Sequence, residues 1–137
     1  MREGQACIRA FVGFGVEQDT KEKLISRLSS VANSISQNSV RWVLEKNWHV
    51  TLLFLGEIPE ESLKDWASEM TNGLTDFSPF QVEVKEIALF PTPAKAGYIV
   101  ATVEASPKLL AVKAAIDQVA GRLNVEVETR PFRPHIT

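Results

Sequence analysis

The sequence predicts an α+β fold: two related lobes, each an antiparallel sheet with its helix outside, around a central cleft. Two observations point to it. Each half of the chain runs strand, amphipathic helix and then a His-x-Thr tripeptide, His49-Val50-Thr51 in the first and His135-Ile136-Thr137 in the second. These tripeptides hold both of the chain's histidines, and no low-complexity tract or long linker separates the two passes. At 137 residues the chain suits a single bilobal domain over residues 1–137.

The elements follow from periodicity and end signals. Arg9 to Val16 is apolar and aromatic and reads as a buried strand. Asp19 with Glu22 resembles a capping box, and Leu24, Ile25, Leu28, Val31, Ala32 and Ile35 then recur at helical spacing. Arg41-Trp42-Val43-Leu44 reads as a short strand, and Trp48 to Leu55 as a second one closed by Gly56. Pro59-Glu60-Glu61 starts a helix with an inner stripe of Leu63, Trp66, Ala67 and Met70, and Gly73 stops it. Phe80, Val82 and Val84 alternate into a strand reaching Phe90; a loop over 91–97 leads to another strand, Tyr98 to Val103. Ser106-Pro107 is an N-cap with a first-turn proline. Leu109, Leu110, Val112, Ile116, Val119 and Ala120 form the inner face of the helix it starts, which Gly121 ends. Val125 to Thr129 alternates again before Pro131-Phe132-Arg133-Pro134 leads into the second tripeptide.

Bulk composition narrows the function. The net charge of -2 argues against a basic surface that coats long nucleic acids; a short or terminal nucleotide suits the balance better. Arg9, Arg41, Arg130 and Arg133 lie near the informative segments and could make one cleft locally basic. A single cysteine, Cys7, excludes an internal disulfide and fits a reducing compartment, with the thiol read as packing. The start, Met1 to Gln5, lacks an apolar signal core and no segment approaches membrane-spanning length, so a cytoplasmic protein is expected.

The tripeptides carry the chemistry. Residues i and i+2 of a strand share a face, so each tripeptide offers an imidazole beside a hydroxyl. Histidine exchanges a proton near neutral pH without help. Opening a phosphodiester by water needs one group to take the water's proton and another to protonate the departing oxygen. In-line displacement sets those oxygens on opposite sides of phosphorus, and two lobes can supply one histidine to each side. Thr51 and Thr137 would donate to the non-bridging oxygens. Zinc is poorly supported, for there is no His-x-x-x-His and no second cysteine. Gly13-Phe14-Gly15 carries no serine for a nucleophile elbow, and its glycines read as strand-end flexibility. Trp42, Trp48 and Trp66 read as core before stacking platforms. Arg9 and Phe11 alternate onto one face of the first strand, where a guanidinium and a ring could meet a nucleotide, though a core role for Phe11 fits equally.

The segments Trp48-His49-Val50-Thr51-Leu52-Leu53-Phe54-Leu55-Gly56-Glu57 and Arg130 to Thr137 resemble the RNA 2′,3′-cyclic phosphodiesterases, also called 2′-5′ RNA ligases, of the two-histidine phosphoesterase superfamily. Arg9-Ala10-Phe11-Val12 looks like that family's first strand and Phe90-Pro91 like its middle segment. The resemblance implies a bilobal fold with a pseudo-twofold axis and a reaction without metal or other cofactor. It implies hydrolysis of a terminal 2′,3′-cyclic phosphate to a 2′-phosphomonoester, and in some members reversible 2′-5′ ligation. His49 would then be the proton donor to the leaving 3′ oxygen and His135 the acceptor that activates water, with Thr51 and Thr137 on the phosphate. The family's second motif continues with leucine, one residue and an arginine, whereas this chain stops at Thr137. The expectation is therefore a shortened chain with an exposed active-strand edge, a monomer open to edge association, in which Arg130 or Arg133 could replace the missing cation. A module that binds a nucleotide phosphate without chemistry is the alternative, and a partly folded fragment a weaker one.

Overall fold

β-branched and aromatic residues with every second side chain turned inward make Cys7–Gly15 the first strand, β1. Val12 and Phe14 pack on the core, while Phe11 stays on the open face. The computed structural model describes residues 6–32, 42–90, 94, 97–125, 127 and 132–137. Helix α1 spans Gln18–Ala32, and Asp19 lies within its first turn, favourable to the helix dipole, instead of capping it. Leu24 is its buried anchor, whereas Ile25 is exposed. Ile35 and Arg41 lie outside the described residues.

The strand expected at Arg41 to Leu44 is absent over its described part: residues 42–44 are irregular and enter a single 3₁₀ turn, Glu45–Asn47. The Trp48 indole N–H donates to the Val43 carbonyl at 3.0 Å, which folds this stretch back on itself. Strand β2 spans His49–Pro59. Gly56 does not close it; at φ 74 it keeps its pairing with Ala10, and the strand runs on. A 3₁₀ turn, Glu60–Ser62, leads into α2, Leu63–Gly73, which ends at the expected glycine. Of its expected inner stripe Met70 is buried and Trp66 half-buried, whereas Leu63 and Ala67 are exposed.

Strand β3 is Val84–Phe90 and begins later than its alternation suggests. Phe80 and Val82 still pack on the core, so their alternation reflects burial without strand pairing. Strand β4, Tyr98–Val103, has the expected bounds. Helix α3 spans Pro107–Arg122, with Ser106 Oγ accepting from the Leu109 N–H at 3.2 Å. It runs past Gly121, and Asn124 at φ 61 makes the reversal instead. Leu110 of its expected inner face is exposed. Val125 and Val127 belong to no strand, and 126 and 128–131 lie outside the described residues. Strand β5 is the pair His135–Ile136.

The strands form one antiparallel sheet in the order β1-β2-β5-β4-β3. The two halves thus meet edge to edge, with β5 between β2 and β4. This corrects the expected exposed edge at the second active strand, for β5 is interior to the sheet. Its backbone is tied on both sides: Thr137 N–H donates to the His49 carbonyl at 3.1 Å, and Val103 N–H to the Pro134 carbonyl at 3.0 Å. The core lies on one face, where Val50, Leu52, Ala101 and Ile136 meet Ile116 and Val119 of α3 and Met70 of α2. Among the described residues no helix is long and apolar enough to cross a membrane.

Helices α2 and α3 touch where Gly73 meets Val119; a Cβ on Gly73 would lie 2.6 Å from Val119 Cγ2. Gly73→Ala should therefore destabilise the protein by about 1–3 kcal/mol in urea denaturation, despite alanine's higher helix propensity. In a Val119→Ala background the same change should cost at least ~0.5 kcal/mol less, because the opposing methyl is gone.

Candidate active site

The two His-x-Thr tripeptides lie on adjacent strands in register. Val50 pairs with Ile136, and both face the core, at 1% and 6% exposure. Strand alternation then puts His49, Thr51, His135 and Thr137 together on the opposite face. Carrying the register one residue each way sets His49 across from Thr137 and Thr51 across from His135. A local twofold axis through the Val50/Ile136 pair relates one tripeptide to the other. The histidines occupy diagonal corners of this square, about 7–8 Å apart by sheet geometry, and the hydroxyls hold the other two.

Each ring is held twice, in the same manner. His49 Nδ1 lies 2.8 Å from the Asn47 carbonyl and His135 Nδ1 2.7 Å from the Arg133 carbonyl. A carbonyl only accepts, so Nδ1 carries a proton in both rings and Nε2 is the atom left to take or give one. Each imidazole also rests on a phenylalanine. Phe11 stacks on His49 with centroids 4.7 Å apart and planes at 28°. Phe90 meets His135 at 4.4 Å and 41°.

Gly13 makes the first of these contacts possible. It pairs with Thr51, and a Cβ there would collide with the Val50 carbonyl oxygen and lie 3.2 Å from the Phe11 ring. The glycine serves close approach, which corrects its reading as strand-end flexibility. The segment entering β5 is pinned from α3: Lys113 Nζ, bonded to Asp117 at 2.7 Å, sits 5.5 Å from the centroid of Phe132, and Pro134 is buried.

Of the other expected site residues, Arg9 is exposed on the Phe11 face of β1, across from Glu57. The Arg133 guanidinium lies over the Phe90 ring at 4.1 Å, so it reaches the site's neighbourhood alongside the partner ring of His135. Arg130 lies outside the described residues. Cys7 is exposed at the end of β1 farthest from His49. Trp42 and Trp48 line an apolar cavity of about 510 Å³ with Leu24, Leu28, Ala101 and Ile136, and the expected site residue Thr137 borders it too. Among the described residues no three His, Cys, Asp or Glu side chains gather as a metal-binding group.

Sequence reasoning misses two aromatic neighbours. Phe90 stands out only as part of a middle segment, and nothing local announces that the end of β3 reaches His135. Alternation misplaces Phe54, since counting from His49 onward would bury it and expose Leu53. Register shifts at Val12/Gly13 and Ala10/Phe11 bury Leu52 and Leu53 together and turn Phe54 out, 71% exposed, opposite Phe11. The unbroken apolar run Leu52 to Leu55 is the available signal.

Imidazole–hydroxyl pairs on one sheet face are chemically able to exchange protons with a phosphate ester and to donate to its oxygens. The family model described as LigT like Phosphoesterase matches residues 14–100, and the chain belongs to that family. It is 28% identical over 136 residues to an RNA 2′,3′-cyclic phosphodiesterase of Archaeoglobus fulgidus, covering 95% of this chain and 70% of that protein. The crystal structure of TT0787 of Thermus thermophilus superposes with a TM-score of 0.74 at 25% identity, over 95% of this chain and 72% of that one. E. coli LigT complexed with 3′-AMP shares the fold at a TM-score of 0.68 and 22% identity, over 97% of this chain and 71% of that one.

The two carbonyl contacts predict the tautomer. Nitrogen-15 spectra above the titration range should report both neutral rings protonated at Nδ1, with Nε2 unprotonated. Nε2-protonated rings would mean that the carbonyls do not hold them.

Proposed function

We propose that this chain hydrolyses terminal ribonucleoside 2′,3′-cyclic phosphates of RNA to 2′-phosphomonoesters, with the paired histidines as acid and base and without a metal. The observation that carries the reading is the register of β2 and β5, which gives two imidazoles on one face, each with Nε2 available, at opposite corners around two hydroxyls. The family and the activity named for its relatives support the same reading.

The cyclic phosphate sits between the diagonal histidines. His135 Nε2 takes a proton from water as the oxygen attacks phosphorus. The P–O3′ bond opposite the incoming oxygen breaks, and His49 Nε2 delivers a proton to O3′. The products are a 3′-hydroxyl and a 2′-phosphomonoester, and the two histidines have exchanged protonation states. The direction, donor at His49 and acceptor at His135, comes from the family resemblance. The Thr51 and Thr137 hydroxyls donate to the non-bridging oxygens, where charge accumulates. Phe11 offers its open face to the terminal base, and Arg9 and Arg133 bring positive charge to the two ends of the site. With a 5′-hydroxyl in place of water, the same transfers join two RNA ends through a 2′-5′ linkage, reversibly.

His49→Ala and His135→Ala should each lower kcat by at least ~10²-fold on a nucleoside 2′,3′-cyclic phosphate, and the double variant should lose less than the product of the two. Thr51→Val should lower it by about 10²-fold with little change in KM, as for a donor used mainly in the transition state. Turnover should persist in chelator. Loss in chelator with recovery on added zinc would overturn the metal-free mechanism, and saturable binding of the nucleotide without product would favour a binding module.

A further inference from the structure

The face that carries His49 continues into an aromatic track that a single nucleotide does not use up. His49, Phe11 and Phe54 follow one another across β1 and β2: Phe11 stacks on the imidazole, and Phe54 lies 6.4 Å from Phe11 between ring centroids, tilted by 52°. Phe11 is 47% exposed and Phe54 71%, so both rings present area to solvent. Beyond them on the same face stand Arg9 and its partner across the strands, Glu57.

The exposure of Phe54 is built into the backbone. Without the register shift opposite Val12/Gly13, Phe54 would point into the core and Leu53 to solvent. The extra residue in β2 buries two leucines in succession and aims the phenylalanine outward beside the ring that touches His49. Bulges next to active sites commonly re-aim a side chain in this manner. A large ring turned into water is unfavourable unless something covers it. What covers it must suit a flat apolar face continuous with a phosphate-binding centre, which describes a nucleobase stacked beside the terminal one.

We infer that Phe54 is a stacking platform for the penultimate base, so that the site takes the end of an oligoribonucleotide in preference to a mononucleotide. The inference rests on the proposed phosphodiesterase reading for the identity of the terminal group. The terminal base lies on Phe11 with its phosphate at the histidines. The preceding base lies on Phe54, and the phosphate before that one approaches Arg9.

Equilibrium titration of the product class tests this without requiring turnover. The ligands are adenosine 2′-phosphate and the dinucleotide ApA bearing a terminal 2′-phosphate. The protein should bind the dinucleotide about 5–100-fold more tightly, the range one base–aromatic stack supplies. Phe54→Ala and Phe54→Leu should bring the two affinities together, and Phe54→Trp should keep them apart. The leucine variant retains apolar area without a π face, which separates stacking from general hydrophobic contact. Equal affinities in the unaltered protein, or a preference that survives Phe54→Ala, would overturn the inference. Cyclic phosphates left intact by a protein that still shows the Phe54-dependent preference would overturn the phosphodiesterase reading alone.

Discussion

The candidate site depends on one antiparallel contact, Val50 against Ile136. Both side chains are driven to the helix-packed face by burial, and a strand cannot turn i inward without turning i−1 and i+1 outward. Two apolar residues at the centre of the seam therefore present four polar ones together. A slip of one residue would bury an imidazole and a hydroxyl and expose the aliphatic residue between them. Few hydrogen bonds hold β5, so its register is guarded by what surrounds it: the buried Pro134, Phe132 under Lys113, and the backbone donors from Val103 and Thr137. The packing of α3 and the geometry of the histidines are one problem.

Around that seam the local symmetry is close but incomplete. Both imidazoles give Nδ1–H to the carbonyl two residues back and rest a face on phenylalanine. The phenylalanines then diverge. Phe90 has the Arg133 guanidinium over it, whereas Phe11 opens onto Phe54 and solvent. A cyclic phosphate is itself asymmetric, with a nucleoside attached on one side and the attacking water arriving on the other. An open aromatic face beside His49 and a cation-covered one beside His135 suit those two sides in turn.

Much of this is legible in the sequence, for physical reasons that also mark where legibility ends. His49-Val50-Thr51 and His135-Ile136-Thr137 announce themselves because strand alternation is local, and the Ser106-Pro107 start of α3 because capping is local. Which strands neighbour which is not local. The placement of β5 inside the sheet, instead of at an edge, follows from pairing across most of the chain. Register shifts in β2 stay hidden because an extra residue in a strand leaves only a run of apolar side chains, which reads equally as simple burial. Gly13 is misread for a related reason: its role is set by the Val50 carbonyl and the Phe11 ring, neither adjacent in sequence. Phe80 and Val82 err in the opposite direction, since alternation records which side faces the core and not whether a neighbour strand is present.

Electrostatics narrow the proposed ligand further. With a net charge of -2 the protein has no general attraction for polyanions, and the cations named for the site stand at its margins. Arg133 lies against Phe90, and Arg9 pairs with Glu57 across the strands. Single-stranded binding driven by charge loses affinity with salt at a slope of roughly 0.7 for each phosphate neutralised. A site with marginal cations and a short aromatic track should have a shallow slope, and its affinity should stop rising once the two ring faces are occupied. Stacking is largely indifferent to base identity. On the proposed function, selection would then come from the group between the histidines, with kinds of RNA end told apart and sequences hardly at all.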